Sequence, residues 1–528
     1  MTSKEASMKQ HRGDTLQIAR KAFLQADYRS SQHFFQLAAK QSPNSIEPLI
    51  KLSACSAFLG SPRMARSHAI SAVAAEENDP ALFIELAEQL SLVGESEAAF
   101  RVIQRMQPEI EMPILSKARV AGVLHRIAKL EDSLNWIAQA ASQVKNDSKH
   151  SSVHSFHGQL LRFHNRRVEA DQAYEQAIKL DPQNTQSYLG RALVQRATPE
   201  HQHIDNLRRM LSRCKPNSRS EAHLAYALFK ELDDLGDYAA AWPVLERGWR
   251  AKRSEKSYNA ARETALFERL SALTTKLKSS DVASDETYPT PIFILGQPRS
   301  GSTLLERLLA QHADVEASGE LFDFTHQLHW CADLSPQGFV AIEAADRVSS
   351  QDLSSLGQRY LEHIKWRANG KKYVIDKLPL NYLLTAFIAK AIPQAIIIHS
   401  IRDPMDGCYS QLKECFDHGY EHSYKPDDMA QHYLGYQNFM KRLKQDIPEN
   451  FYDCHHSQMV SDPHTSTEKL FAYCKLDFKP EYLSIEKDQR PVSTASSSQV
   501  RSKINSEGIG RWQVYSDHLS SMREKLGV

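Results

Sequence analysis

The sequence predicts an α plus α/β chain: an N-terminal helical superhelix, then a P-loop-like domain on a parallel sheet. Three observations predict it. Small residues, an aromatic and a proline recur in phase through the first half. In the second half the apolar pattern changes to strand-length runs alternating with helical ones. Between them Ser279–Pro291 reads SSDVASDETYPTP, a composition that suits a linker. At 528 residues the chain also exceeds what one hydrophobic core organises.

The repeat marks come first. From Ser151, the residues Gly158, Ala170, Tyr174, Ala177 and Pro182 fall where two antiparallel helices touch and the second ends. Tyr188 and Ala192 follow in phase, and Pro216 lies 34 residues after Pro182. Earlier copies are marked by Ser31, Phe35, Ala38 and Pro43, by Ala65, Ala72 and Pro80, and by Ala98 and Phe100. The last copy occupies 219–250. This is the tetratricopeptide pattern, with a period of about 34 residues. One hairpin cannot bury both faces, so about seven of them stack into a superhelix over residues 12–255. A connecting helix and linker, 256–290, and a second domain, 291–528, complete the expected division. The array implies a scaffold or spacer and no chemistry.

Composition excludes several classes. With 65 Lys+Arg against 64 Asp+Glu, the net charge of +1 disfavours nucleic acid as a partner. The seven cysteines are odd in number and lack C-x-x-C spacing, so neither a disulfide framework nor structural zinc is expected. No signal peptide and no membrane span are visible; the longest apolar cluster, near Ile396–Ile398, is strand-sized. The default is a soluble, cytoplasmic protein.

Strand-length runs occur at 292–296, 373–376 and 395–401, separated by helical patterns over Thr303–Gln311, Leu380–Ala391 and Pro404–Phe416. In parallel sheets of this kind the ligand sits at the carboxyl ends of the strands. The first run opens into Gly296-Gln-Pro-Arg-Ser-Gly-Ser-Thr303 and then a helix, which places backbone N–H groups and a helix dipole around an anion. Gly296 and Gly301 have Walker A spacing, but Ser302 stands where nucleotide triphosphatases need Lys, so ATP hydrolysis is disfavoured. Arg299 instead supplies a cation within the loop. Later, Arg402 ends a strand and Asp403-Pro404 reads as an N-cap followed by Pro at the first helical position.

Together these segments resemble a known family. GQPRSGSTLLE is similar to the 5′-phosphosulfate loop of sulfotransferases, and IIIHSIRDPMDGCYS to their 3′-phosphate element. YVIDKLPLNYLL and VSTASSSQVRSKINSEGIGRW add two further matches, and with the repeats the chain resembles tetratricopeptide-repeat and tyrosylprotein sulfotransferases. The resemblance implies 3′-phosphoadenosine 5′-phosphosulfate as sulfuryl donor, an acceptor hydroxyl that includes protein tyrosine, and no metal. It implies that Pro298, Arg299, Ser300, Gly301, Ser302 and Thr303 hold the 5′-phosphate. Arg402 and Ser410 would converge on the 3′-phosphate. Gln499, Arg501 and Trp512 would close over the nucleotide. Glu320, 21 residues after Arg299, aligns with the family's general base, and Lys377 would neutralise the leaving phosphate. The alternative partner for Lys377 is its neighbour Asp376. The chain departs from the family at His456-Ser457, where a Tyr-Glu pair is usual, at His312-Ala313 for His-Pro, and at Lys503 for a proline.

The remaining features read as structural. Among 23 histidines no H-E-x-x-H occurs, and Gly419 interrupts the His418/His422 spacing. His399 suits a core or supporting place, Cys408 and Cys415 suit packing, and His455-His456 suits a strand and turn. Protein, peptide, carbohydrate and small molecule all remain open as acceptor. The array would dock that acceptor, a protein partner or a second subunit. The competing classes are a repeat adaptor with a non-catalytic nucleotide-binding domain, and a kinase; the absent Walker Lys and the lack of a Mg²⁺-binding pair speak against the second.

Overall fold

The computed structural model describes residues 3–43, 45–74, 79–106, 112–280, 287–335, 338–417, 419–447, 451–494 and 501–528, with side chains from Asp14 onward. They fall into two compact units. The first joins Met1–Trp136 to Phe322–Trp366; the second joins Ile137–Leu321 to Arg367–Val528.

In the first unit, helices Ser3–Leu24, Ile46–Phe58 and Pro80–Leu92 each pack on the next, Tyr28–Gln41, Pro62–Val73 and Ser96–Gln104. The sequence marks do the expected work: Phe35, Ala38, Ala65 and Ala72 are all buried. Pro80 acts differently from expectation. It opens a helix instead of ending one, with Asp79 capping the Ala81 amide. Residues 322–366 contribute helices Asp323–Ala332, Ile342–Ser349 and Ser354–Ile364. Arg63 fastens this segment, donating to the main-chain oxygens of Trp330 (3.0 Å) and Cys331 (2.6 Å). Ser335 Oγ donates to Ala57 O at 2.9 Å.

The second unit continues the array with Ser151–Phe163, Arg167–Leu180, Thr185–Ala192, Ile204–Arg213, Arg219–Leu235 and Tyr238–Glu255. Tyr174 lies against both Gly158 and Gly190; a Cβ on Gly190 would meet its ring at 2.4 Å, so that position excludes any side chain. Fourteen α-helices precede Lys256 among the described residues, in line with seven helix pairs.

A five-stranded parallel sheet follows: β1 Thr290–Gly296, β2 Val315–Ala317, β3 Tyr373–Asp376, β4 Ile396–Ile401 and β5 Phe451–His455, in the order β2-β3-β1-β4-β5. β1 is central and buried from Pro291 to Gly296, and its Ile292 and Ile294 share a core with Leu304, Leu305 and Leu308. Ile292 pairs with Ile375 on one flank and Ile396 on the other, and Gly296 pairs with Ser400. The three strand-length runs read from sequence are present, and His455, read as strand, ends β5; β2 is additional.

The helices differ in their ends. The first runs Ser302–Leu309. The second begins as a 3₁₀ turn, Pro379–Leu384, before Thr385–Ala391. The third, expected to reach Phe416, stops at Leu412. There the Leu412 carbonyl accepts from Trp249 Nε1 (2.8 Å) and Tyr226 Oη (3.4 Å), so array side chains cap the helix. His455 ends β5, but His456 starts the helix His456–Ser461 and is not a turn residue. No helix among the described residues is long and apolar enough to cross a membrane.

Candidate active site at the carboxyl ends of the strands

The loop after β1 is shaped by steric demand. Gly296 has φ +137°, and a Cβ there would lie 2.5 Å from Ser400 O. Gly301 has φ +104°, and a Cβ there would lie 2.8 Å from the His456 ring. Arg299 adopts φ +66° without being glycine, a local strain of the kind that clusters at functional sites. The loop ends on the helix Ser302–Leu309, whose first N–H groups have no intrahelical acceptor and whose dipole favours an anion. The Ser300 hydroxyl oxygen, within this loop, is buried without a hydrogen-bond partner. Thr303 Oγ1 lies 3.4 Å from Thr494 Oγ1. A phosphate therefore fits this loop by amides, dipole and hydroxyls.

Two guanidinium groups sit across the β1–β4 crevice, where the strand order reverses. Arg402 Nη1 donates to Arg299 O at 3.0 Å, and Nη2 to Gly508 O at 2.6 Å. Arg299 Nε donates to Ser410 Oγ at 3.3 Å, and its Nη2 lies 3.4 Å from Glu414 Oε1. Arg299, Arg402 and Ser410 are thus brought together, but Arg299 stands between the expected Arg402–Ser410 pair. Burial lowers the pKa of Arg402, with Asp406 opposing and Arg299 adding to the effect. Two neighbouring, partly desolvated cations favour a multiply charged anion. Asp403 is the N-cap read from sequence: its Oδ1 accepts from Asp406 N at 3.1 Å. Asp406 in turn accepts from Gly510 N at 2.8 Å, so the C-terminal segment is tied to the start of this helix.

Lys377 and Glu320 meet directly. Lys377 follows β3 with no exposed surface, and its Nζ donates to Glu320 Oε1 at 2.7 Å. Asp376, the alternative partner, accepts instead from Asn381 Nδ2 at 3.1 Å. The pairing follows from sheet order: β2 lies beside β3, so residues just beyond their ends share one rim. A buried ammonium requires a charged partner. Glu320 is 36% exposed, open to a second molecule.

Several contacts have no sequence signal. Glu306 Oε1 accepts from Gly319 N at 3.0 Å. The side chain of Gln297, inside the loop, meets His432 Nε2 at 3.0 Å, and His432 Nδ1 lies 2.8 Å from Glu263 Oε1. With His422 these form a His₂Glu cluster that has the residue types of a metal site. The two imidazoles are stacked 3.5 Å apart and 4° from parallel. The Nδ1 atoms of His432 and His422 both lie near Glu263 Oε1, at 2.8 and 3.9 Å, and His432 carries the contact on to Gln297 in the loop. His418 lies outside the described residues. His399 bridges Asp453 (3.0 Å) and Tyr436 Oη (2.6 Å), a supporting place.

The C-terminal motif is only partly at the site. Gln499 lies outside the described residues. Arg501 donates to the main-chain oxygens of Asp488 (3.0 Å), Phe163 (2.8 Å) and Arg490 (2.9 Å), which organises that segment. Trp512 carries Arg523 over its ring at 5.3 Å. Sequence pointed instead to these residues, while Gly508 and Gly510 make the contacts to Arg402 and Asp406.

Comparison with known proteins places a sulfotransferase family domain at residues 291–480. An uncharacterized protein of Aquifex aeolicus is 25% identical over 345 residues, 63% of this chain and 44% of that protein, so the chain spans less than half of this relative's length. A Caenorhabditis briggsae protein described as "Putative protein-tyrosine sulfotransferase" is 24% identical over 234 residues, 42% of this chain and 80% of that one. The sulfotransferase domain of the curacin biosynthetic pathway aligns with 45% of this chain and 98% of its own, at 17% identity and TM-score 0.31.

Proposed function

We propose that the sulfotransferase-family domain transfers a sulfuryl group from 3′-phosphoadenosine 5′-phosphosulfate to an acceptor hydroxyl. The observation that carries the reading is the Lys377–Glu320 pair at the sheet rim that also bears the phosphate loop. Arg299 and the amides and hydroxyls of Ser300–Thr303 bind the 5′-phosphate. Arg402 and Ser410 serve the 3′-phosphate, with Arg402 exchanging a carbonyl partner for it. The acceptor oxygen bonds to sulfur while the bond from sulfur to the bridging oxygen breaks, and the electron pair stays with the departing phosphate. Glu320 takes the acceptor proton. Protonation of Glu320 releases Lys377, whose charge then offsets that of the bridging oxygen.

The acceptor includes protein tyrosine among hydroxyl compounds, and the array over 12–255 docks it or a protein partner. The domain spans 291–528, and the compartment is the cytoplasm. Calorimetric titration with 3′-phosphoadenosine 5′-phosphate, with AMP as control and EDTA present, tests the donor. Tight bisphosphate binding with weak AMP binding supports the reading. Equal or absent binding of both sinks it and leaves a repeat adaptor.

A further inference from the structure

We propose that Glu306 is a positioning residue that sets Glu320 at a fixed place relative to the phosphate loop by holding the Gly319 amide. This role rests on the reading of Glu320 as base. Glu306 is 8% exposed, on a helix whose eight residues are all buried, where an apolar side chain would cost nothing in desolvation. Its Oε1 accepts from Gly319 N at 3.0 Å, and the Gly319 carbonyl accepts from Lys377 N at 2.9 Å. Gly319 has φ +71°, so the chain turns sharply just before Glu320. Gly319 is thus held at both its N–H and its C=O, and Lys377 Nζ holds the carboxylate of the next residue.

The grip is also a ruler. Glu306 lies four residues after Ser302, about 6 Å along the helix axis. One rigid helical turn therefore joins the amides that face the donor phosphate to the residue that fixes the base. The contact needs only an acceptor oxygen. Burial raises the pKa of Glu306, with Lys377 opposing. A side-chain amide therefore meets the same requirement.

The test compares Glu306→Gln, which keeps the acceptor, with Glu306→Met, which keeps volume without it. Three quantities are read: bisphosphate affinity, release of labelled sulfate from the donor with water as acceptor, and hydrogen exchange of the 318–321 amides. Glu306→Met should lower turnover roughly 10²-fold, the usual loss for a displaced catalytic group, with bisphosphate affinity kept within about threefold. Exchange at Gly319 should quicken. Glu306→Gln should restore turnover to within about fivefold and restore protection. Retained bisphosphate binding shows that the loop helix has folded. Wild-type turnover in Glu306→Met, or equal loss in both variants, overturns the role while leaving the donor site standing. Absent bisphosphate binding in the unmodified chain overturns the donor reading and this role with it.

Discussion

Removing either end of the Lys377–Glu320 pair should have unequal consequences. Lys377 has no exposed surface, while Glu320 is 36% exposed. In Glu320→Ala the ammonium loses its 2.7 Å partner in a place water does not reach. Breaking a fully buried pair costs about 3–5 kcal/mol; screening at the half-open carboxylate reduces this to about 2–3 kcal/mol. In Lys377→Met the thioether fills the stem's space and Glu320 turns to solvent, at less than about 1 kcal/mol. Urea unfolding of both variants, with hydrogen exchange of β3 as the local readout, measures the difference. Equal losses, or a larger loss in Lys377→Met, would refute the reasoning that burial of the cation governs the pair.

Three further outcomes follow from the site. Arg402→Ala should weaken bisphosphate binding by about 10–100-fold and leave AMP binding unchanged, read by calorimetry, because it removes a charged donor to one phosphate. Burial, with Arg402 nearby, pulls the His456 pKa down to about 4. The folded form thus favours neutral imidazole while the unfolded chain binds the proton below about 6.5. Stability is lost as pH falls from about 6.5 to 4, by up to about 3 kcal/mol from this group, and the stability–pH curve of His456→Phe should be shallower in that window. Gly301→Ala should cost about 1–3 kcal/mol from its positive φ and the clash with His456, and adding His456→Ala should recover only the steric part in denaturant melts.

The sequence disclosed what is local and was silent on what is not. β1 and β4 carry apolar runs, Asp403-Pro404 carries a cap, and the two loop glycines mark backbone that tolerates no Cβ. β2 has three residues and β5 is largely half-exposed; both are edge strands, whose short or solvated faces leave no apolar run to read. Lys377 offered an adjacent carboxylate in Asp376, yet its partner lies 57 residues away, because strand order decides which loops meet. Glu306 carries no signal of its contact, since nothing in a single sequence tells that the Gly319 amide will face it. The motif around Arg501 and Trp512 was legible as a motif, but it is Gly508 that accepts from Arg402 and Gly510 that donates to Asp406.

The fastening of residues 322–366 into the first unit has a consequence for synthesis on the ribosome. Arg63 and the Cys331 carbonyl it binds are 268 positions apart. At about 5–20 residues per second, Arg63 emerges roughly 13–54 s before that acceptor exists. For that interval the helix Pro62–Val73 lacks its neighbour Asp323–Ala332, and the closing of so long a loop comes late. A nascent chain halted before Phe322 would therefore present a different surface to chaperones and proteases than the finished protein does.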